Sequence, residues 1–224
     1  MARFSRLEVL NRVIGEGIVP VFYHSDAGVT AQAAAACAAA GISSFEFTNR
    51  GDGAIDTFKS LIQTCRKQHP EVILGVGSIV DEATAALFVA QGANFVVGPS
   101  FNPAVALFCN RRKIPYFPGC ATATEISEAE SLGVEIVKLF PCEAAGGPGF
   151  VKALLGPCPW TRIMPTGMET VNPQTLGAWF KAGVSAVGLG RALIQKEALD
   201  AGDYPAITRR ATEIVGWVKA ARQG

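Results

Sequence analysis

The stretch EIVKLFP (135–141) sets one lysine, Lys138, inside a run of Ile136, Val137, Leu139 and Phe140. A run this short, rich in β-branched and aromatic residues and closed by proline, reads as a strand. A second stretch of the same kind, SFEFTNR (44–50), holds Glu46 between two phenylalanines and ends on Arg50. Parallel strands are covered on both faces and read as nearly continuous apolar runs, so a charge in the middle of one needs a reason. Side chains alternate along a strand. Glu46, Thr48 and Arg50 therefore share one face, Lys138 and Phe140 share another, and Phe45, Phe47, Val137 and Leu139 point the opposite way.

Working outward, six further runs have the same character: IVPVFYH (18–24), VILGVGS (72–78), NFVVGPS (94–100), PYFPG (115–119), RIMPTG (162–167) and SAVGLG (185–190). Amphipathic stretches such as DAGVTAQAAAACAAA, DEATAALFVAQ and NPQTLGAWFKA separate them. Asp81 and Asn172 suit helix N-caps, Pro173 suits a first helical turn, and Gly92 and Gly183 suit C-terminal stops. Eight strand–helix units at intervals of roughly 20–25 residues predict an α/β fold, a single (β/α)8 TIM barrel. An amphipathic helix opens the chain (MARFSRLEVLNRVIGEG) and a closing helix spans about Tyr204 to Arg222. No linker divides the chain, so residues 1–224 read as one domain. A dinucleotide fold fits poorly. GVGSIV and GLGRAL both carry an apolar residue where the third glycine belongs, and neither opens the chain.

Composition removes several classes of function. Lys plus Arg is 20 and Asp plus Glu is 19, so no global field draws nucleic acid or a membrane surface. No apolar run approaches the ~20 residues of a membrane span, and the first residues lack the apolar core of a secretory signal. The expectation is a cytoplasmic enzyme whose six cysteines are reduced and packed as small hydrophobes. Two histidines, His24 and His69, and no C-x-x-C spacing argue against a metal. No cofactor is called for.

In a barrel the charged faces point inward and rise toward the C-terminal mouth, where barrel active sites sit. A lysine in a dry pocket has its ammonium form disfavoured, which frees an amine to attack a carbonyl. The resulting iminium is an electron sink for breaking the bond between C3 and C4 of a 2-keto acid. A nearby carboxylate moves the aldol proton, and an arginine at the mouth fixes the substrate carboxylate. Each residue also has a plainer reading: a snorkelling Lys138, a Glu46 in a structural ion pair, a solvated Arg50. Two other functions stay open. In a sugar-phosphate isomerase or epimerase, Glu46 is the base and Lys138 an electrostatic partner. In a non-catalytic barrel, the same mouth binds a small acid.

On FEFTNR (45–50), GVGSIVD (75–81), FVVGPS (95–100), IPYFPGCATATE (114–125), VKLFPCEAAGGPGFVKALLGP (137–157) and MPTG (164–167), the chain resembles the 2-keto-3-deoxy-6-phosphogluconate / 4-hydroxy-2-oxoglutarate aldolase family over nearly its whole length. The resemblance implies a metal-free class I aldolase that assembles as a homotrimer and cleaves the keto-deoxy sugar acid to pyruvate and glyceraldehyde 3-phosphate. It makes Lys138 the Schiff-base residue, Glu46 the general acid/base and Arg50 a ligand of the pyruvyl carboxylate. Ser78 stands where the family usually has threonine. Pro99, Pro118 and Phe140 match pocket-wall positions, and Thr122 matches one just beyond the fifth strand.

The chain departs from the pattern at the distal end, where the family has a glycine pair after the seventh strand and Gly-Ser after the eighth. Here stand Gly167-Met168-Glu169 and Gly190-Arg191. Met168 keeps a backbone N–H but loses glycine's close approach, Glu169 adds a negative charge and Arg191 a positive one. Arg191 either grips an anion or opens a helix and faces solvent. The substrate expectation is 2-keto-3-deoxy-6-phosphogluconate, with 4-hydroxy-2-oxoglutarate, a galactonate-derived isomer and an unphosphorylated keto acid as alternatives.

Overall fold

The computed structural model describes residues 2–223. Helix α1 (Arg6–Glu16) leads into β1 (Ile18–Phe22), α2 (Ala27–Ala39), β2 (Ser44–Thr48), α3 (Ala54–Gln68), β3 (Ile73–Gly77) and α4 (Glu82–Gln91). Then come β4 (Val96–Val97), α5 (Pro103–Arg112), β5 (Tyr116–Phe117), β6 (Gly119–Cys120), α6 (Ala123–Ser131) and β7 (Val137–Leu139). The chain ends with α7 (Gly147–Leu155), β8 (Ile163–Pro165), α8 (Pro173–Lys181), β9 (Val187–Leu189), α9 (Lys196–Asp200) and α10 (Tyr204–Gln223).

Every strand pairing is parallel, in the orders β5-β4-β3-β2-β1-β9 and β6-β7-β8. The two arcs join into a closed barrel. At one seam the fifth run carries Pro118, which has no N–H for the ladder and splits that strand into β5 and β6. Gly119 N–H still reaches Gly98 O at 3.1 Å, so the run behaves as one barrel stave. At the other seam Ser185 N–H donates to Ile163 O at 2.9 Å, and a parallel bridge pairs Thr166 with Gly188.

Side-chain alternation divides the core. Phe45, Phe47, Val137 and Leu139 pack between strands and helices. Val19, Ile73, Phe95, Val97, Phe117, Ile136, Met164 and Ala186 fill the barrel interior together with Val9, Leu10 and Val13 of α1. Burying each such aliphatic or aromatic side chain is worth about 1.5–3 kcal/mol. Helix α1 is thus a plug at the N-terminal end. It starts at a Ser5–Glu8 capping box and stops at Gly17, whose φ of 72° is the left-handed conformation glycine permits. The buried Asn94 side chain accepts the N–H groups of Arg3 and Phe4 at 2.9 and 3.1 Å, anchoring the segment that leads in. Helix α10 closes the exterior, and Arg222 near its end donates to the carbonyls of Ile14, Gly15 and Ser185 at 2.8, 3.0 and 2.6 Å.

Asp81, Asn172 and Pro173 sit as expected at the starts of α4 and α8. Helix α9 was not anticipated. Arg191 does not open a helix: it lies in a turn in which Leu193 and Ile194 both donate to Gly190 O, and α9 begins five residues later. No described helix is long and apolar enough to cross a membrane.

Candidate active site

With the N-terminal end plugged, the barrel opens only at the C-terminal ends of its strands, into a cleft of about 1230 Å³. Among the described residues, Glu46 and Lys138 are the only acidic and basic side chains in the buried class, at 1% and 6% exposure, and both line this cleft. Glu46 sits on β2 with Val21 and Gly75 as its Cα neighbours, and Lys138 on β7 between Gly119 and Met164. Small or apolar flanks give each charge room and no local partner. Neither forms an ion pair with a described residue. Lys138 Nζ lies 4.7 Å from the centroid of Phe140, two residues along the same strand face.

Glycines on β3 make the space. A Cβ on Gly77 would run into the Glu46 carboxylate, and one on Gly75 into the Phe95 ring. Burial pushes the Glu46 carboxyl above its ordinary range, and the positive charges of Lys138 and Arg50 oppose that shift without reversing it. A carboxyl that holds its proton nearer to neutrality is suited to take one up and give it back. The buried thiols are poor alternatives as nucleophile. Burial raises Cys37, Cys65, Cys109 and Cys120 to about 12 and Cys142 to about 11.

The remaining residues singled out in the sequence also line the cleft. Arg50 and Ser78 meet at the proximal lip, with Arg50 Nε 3.5 Å from Ser78 Oγ. Ser78 has a φ of 61°, a left-handed conformation rare for a residue with a Cβ, where the chain turns sharply off β3. Pro99 and Phe140 form walls, while Gly167, Met168, Gly190 and Arg191 border the far side. Gly167 has a φ of 95°, and its absent Cβ leaves the turn in contact with the Phe140 ring. Pro118 and Thr122 are not in the lining. Thr122 is the N-cap of α6, in a capping box with Glu125.

The structure adds residues not singled out. Thr166 is buried in the cleft wall, and its Oγ1 has no hydrogen-bond partner among the described residues. It fits only because Gly188 beside it lacks a Cβ. The alternation of MPTG carries the signal: Met164 faces the barrel interior, so Thr166 does as well. Gln195, Lys196 and Glu197 of the α9 region form part of the outer wall. No cluster of three or more His, Cys, Asp or Glu with metal-ligand geometry occurs among the described residues.

A family model described as KDPG and KHG aldolase matches residues 9–210, most of the chain. The protein belongs to the KDPG and KHG aldolase family. A 2-dehydro-3-deoxy-phosphogluconate aldolase of Treponema pallidum is 33% identical over 180 residues, covering 79% of this chain and 82% of its own. A KHG/KDPG aldolase of Escherichia coli is 30% identical over 203 residues, covering 90% and 92%. Among solved structures, a KDPG aldolase from Legionella pneumophila, with pyruvate captured at low pH as a covalent carbinolamine intermediate, matches with a TM-score of 0.79 and 27% identity over 88% of this chain and 93% of that one. The aldolase is accordingly an enzyme of the carbon–carbon lyase type.

Proposed function

We propose that this aldolase works by the class I mechanism, with Lys138 forming a Schiff base with a 2-keto acid. The observation that carries the proposal is the pairing of two buried charges, Lys138 and Glu46, in one cleft whose only exit is the barrel mouth. The carbinolamine captured in the Legionella pneumophila relative supports the same chemistry here.

The neutral Lys138 amine attacks C2, and loss of water from the carbinolamine gives the iminium. Glu46, directly or through a water, removes the proton from the C4 hydroxyl. The bond between C3 and C4 then breaks, its electrons neutralise the iminium as an enamine, and the aldehyde departs. Proton return to C3 and hydrolysis release pyruvate and regenerate the amine. Arg50 and Ser78 hold the pyruvyl carboxylate, Phe140 walls the reacting carbon, and the partnerless Thr166 hydroxyl serves the C4 oxygen. The substrate is 2-keto-3-deoxy-6-phosphogluconate, cleaved to pyruvate and glyceraldehyde 3-phosphate, with 4-hydroxy-2-oxoglutarate as the second substrate to assay. Residues 1–224 act as one domain, in the cytoplasm and as a homotrimer.

Incubation with pyruvate and borohydride, followed by peptide mass spectrometry, tests the mechanism. The expected result is a reduced pyruvyl adduct confined to Lys138 and absent in Lys138→Met. Folded protein without an adduct at Lys138 overturns the assignment and turns attention to isomerisation at the same mouth.

A further inference from the structure

The next inference deepens the aldolase reading and rests on it. With the keto acid anchored between Arg50 and Lys138, the part that leaves as aldehyde extends toward the lip built by the turns after β8 and β9. Hydrogen-bond donors without acceptors gather there. Among the described residues, the backbone N–H groups of Gly167, Met168, Gly190, Arg191 and Ala192 bond to no protein oxygen. Arg191 lines the cleft and forms no ion pair with a described residue, whereas Lys196, the other cation of this lip, is paired with Asp200. Glu169 and Glu197 complete the lining. A neutral polyol tail has its own donors and leaves these N–H groups unmatched. A terminal oxyanion accepts from them and from a guanidinium fork together. The two carboxylates set a repulsive background that an anion overcomes only where the guanidinium is close.

We propose that Arg191 is the specificity-determining residue of this aldolase. Its guanidinium, with the N–H groups of residues 190–192, selects substrates whose aldehyde half ends in an oxyanion, either phosphate or carboxylate. Glu169 lowers the affinity of that same subsite for a dianion.

The test runs the reaction in the condensation direction, with pyruvate and each of three aldehydes: glyceraldehyde 3-phosphate, glyoxylate and neutral glyceraldehyde. Wild type is expected to prefer at least one charged aldehyde. Arg191→Ala lowers the ratio of its kcat/KM to that of glyceraldehyde by roughly 10- to 100-fold, mainly through KM. Arg191→Lys recovers part of the ratio, and Glu169→Gln raises it for the phosphate arm. The preferred charged aldehyde identifies the anion as phosphate or carboxylate. Calorimetric binding of inorganic phosphate and of oxalate to wild type and Arg191→Ala gives a readout independent of turnover, and the variant is expected to bind the preferred anion more weakly. Equal losses with all three aldehydes, or anion binding that ignores the substitution, overturn the proposal. Borohydride trapping of pyruvate on the same samples separates the two readings, because its failure refutes the Schiff base and leaves the selectivity result to stand or fall alone.

Discussion

Gly77→Ala adds one methyl group where the structure has no room for it. Gly77 has an ordinary extended backbone, so alanine brings no conformational strain, and in a strand it is mildly favoured over glycine. The whole effect is therefore steric, and the atoms met are the Oε1, Cδ and Cγ of Glu46. Glu46 is buried, with β1 and β3 as neighbours, so the carboxylate moves out toward the mouth or β3 shifts as a unit. Overpacking of this kind costs about 1–3 kcal/mol. For a chain of this size, each kcal/mol corresponds to roughly 2–4 °C in Tm. A misplacement of order 1 Å in a catalytic group lowers the rate by about 10²-fold. The assay pairs thermal unfolding with steady-state cleavage for Gly77→Ala, Gly75→Ala and the double variant Gly77→Ala/Glu46→Ala. Gly75→Ala strikes the Phe95 ring below the cleft, so it lowers Tm as much as Gly77→Ala but kcat less. The double variant regains Tm relative to Gly77→Ala because the obstructing carboxylate is gone. If Gly77→Ala keeps the Tm and kcat of wild type, Glu46 does not lie against β3 and the acid–base assignment loses its geometric basis.

Glu46→Gln tests the price of burying that carboxyl. The folded pKa is raised, so the stability this group contributes is fully present below the unfolded pKa and is lost as pH rises through the folded value. The neutral amide escapes that loss. Its Tm relative to wild type is expected to increase from pH 4 to pH 8 while kcat falls by about 10²–10⁴, and a flat or inverted Tm difference refutes the raised pKa. Asn94→Ala leaves the N–H groups of Arg3 and Phe4 without an acceptor and should cost about 1–3 kcal/mol in denaturant unfolding with little change in KM. Light scattering of the homotrimer is expected to show smaller species for Leu87→Asp/Leu107→Asp, since Leu87 and Leu107 are 60% and 44% exposed on the packed helices α4 and α5. A trimer that ignores both charges places the interface elsewhere.

The fold was legible because alternation and helical spacing repeat eight times, and one weak unit matters little among eight. The fifth run shows the limit. PYFPG reads as one strand, yet Pro118 lacks the N–H that a continuous ladder needs, so two short strands form with the chain still in place. Inward placement of Glu46 and Lys138 followed from their apolar flanks, since reversing either strand would bury those charges against helices. The glycines of GVGS were read only as a failed dinucleotide motif. Their reason is a contact with Glu46 and Phe95 across two strands, which no local pattern reports.

The two ends of the cleft differ in legibility for the same reason. At the proximal end the side chains grow from strands, whose two-residue period fixes their direction before any tertiary contact is known. At the distal end Met168, Glu169 and Arg191 sit in turns, where direction depends on backbone dihedrals and on the unforeseen α9 that follows. Gly167 at a φ of 95° turns the chain so that the next N–H groups go unpaired, and Gly190 starts a turn that leaves three more without acceptors. The chemistry of bond cleavage is thus set by the barrel staves, and the choice of aldehyde by the turns that cap them. If that division holds, Arg191→Ala changes which aldehyde is accepted while pyruvate is still trapped at Lys138, and Gly77→Ala slows turnover with every aldehyde alike.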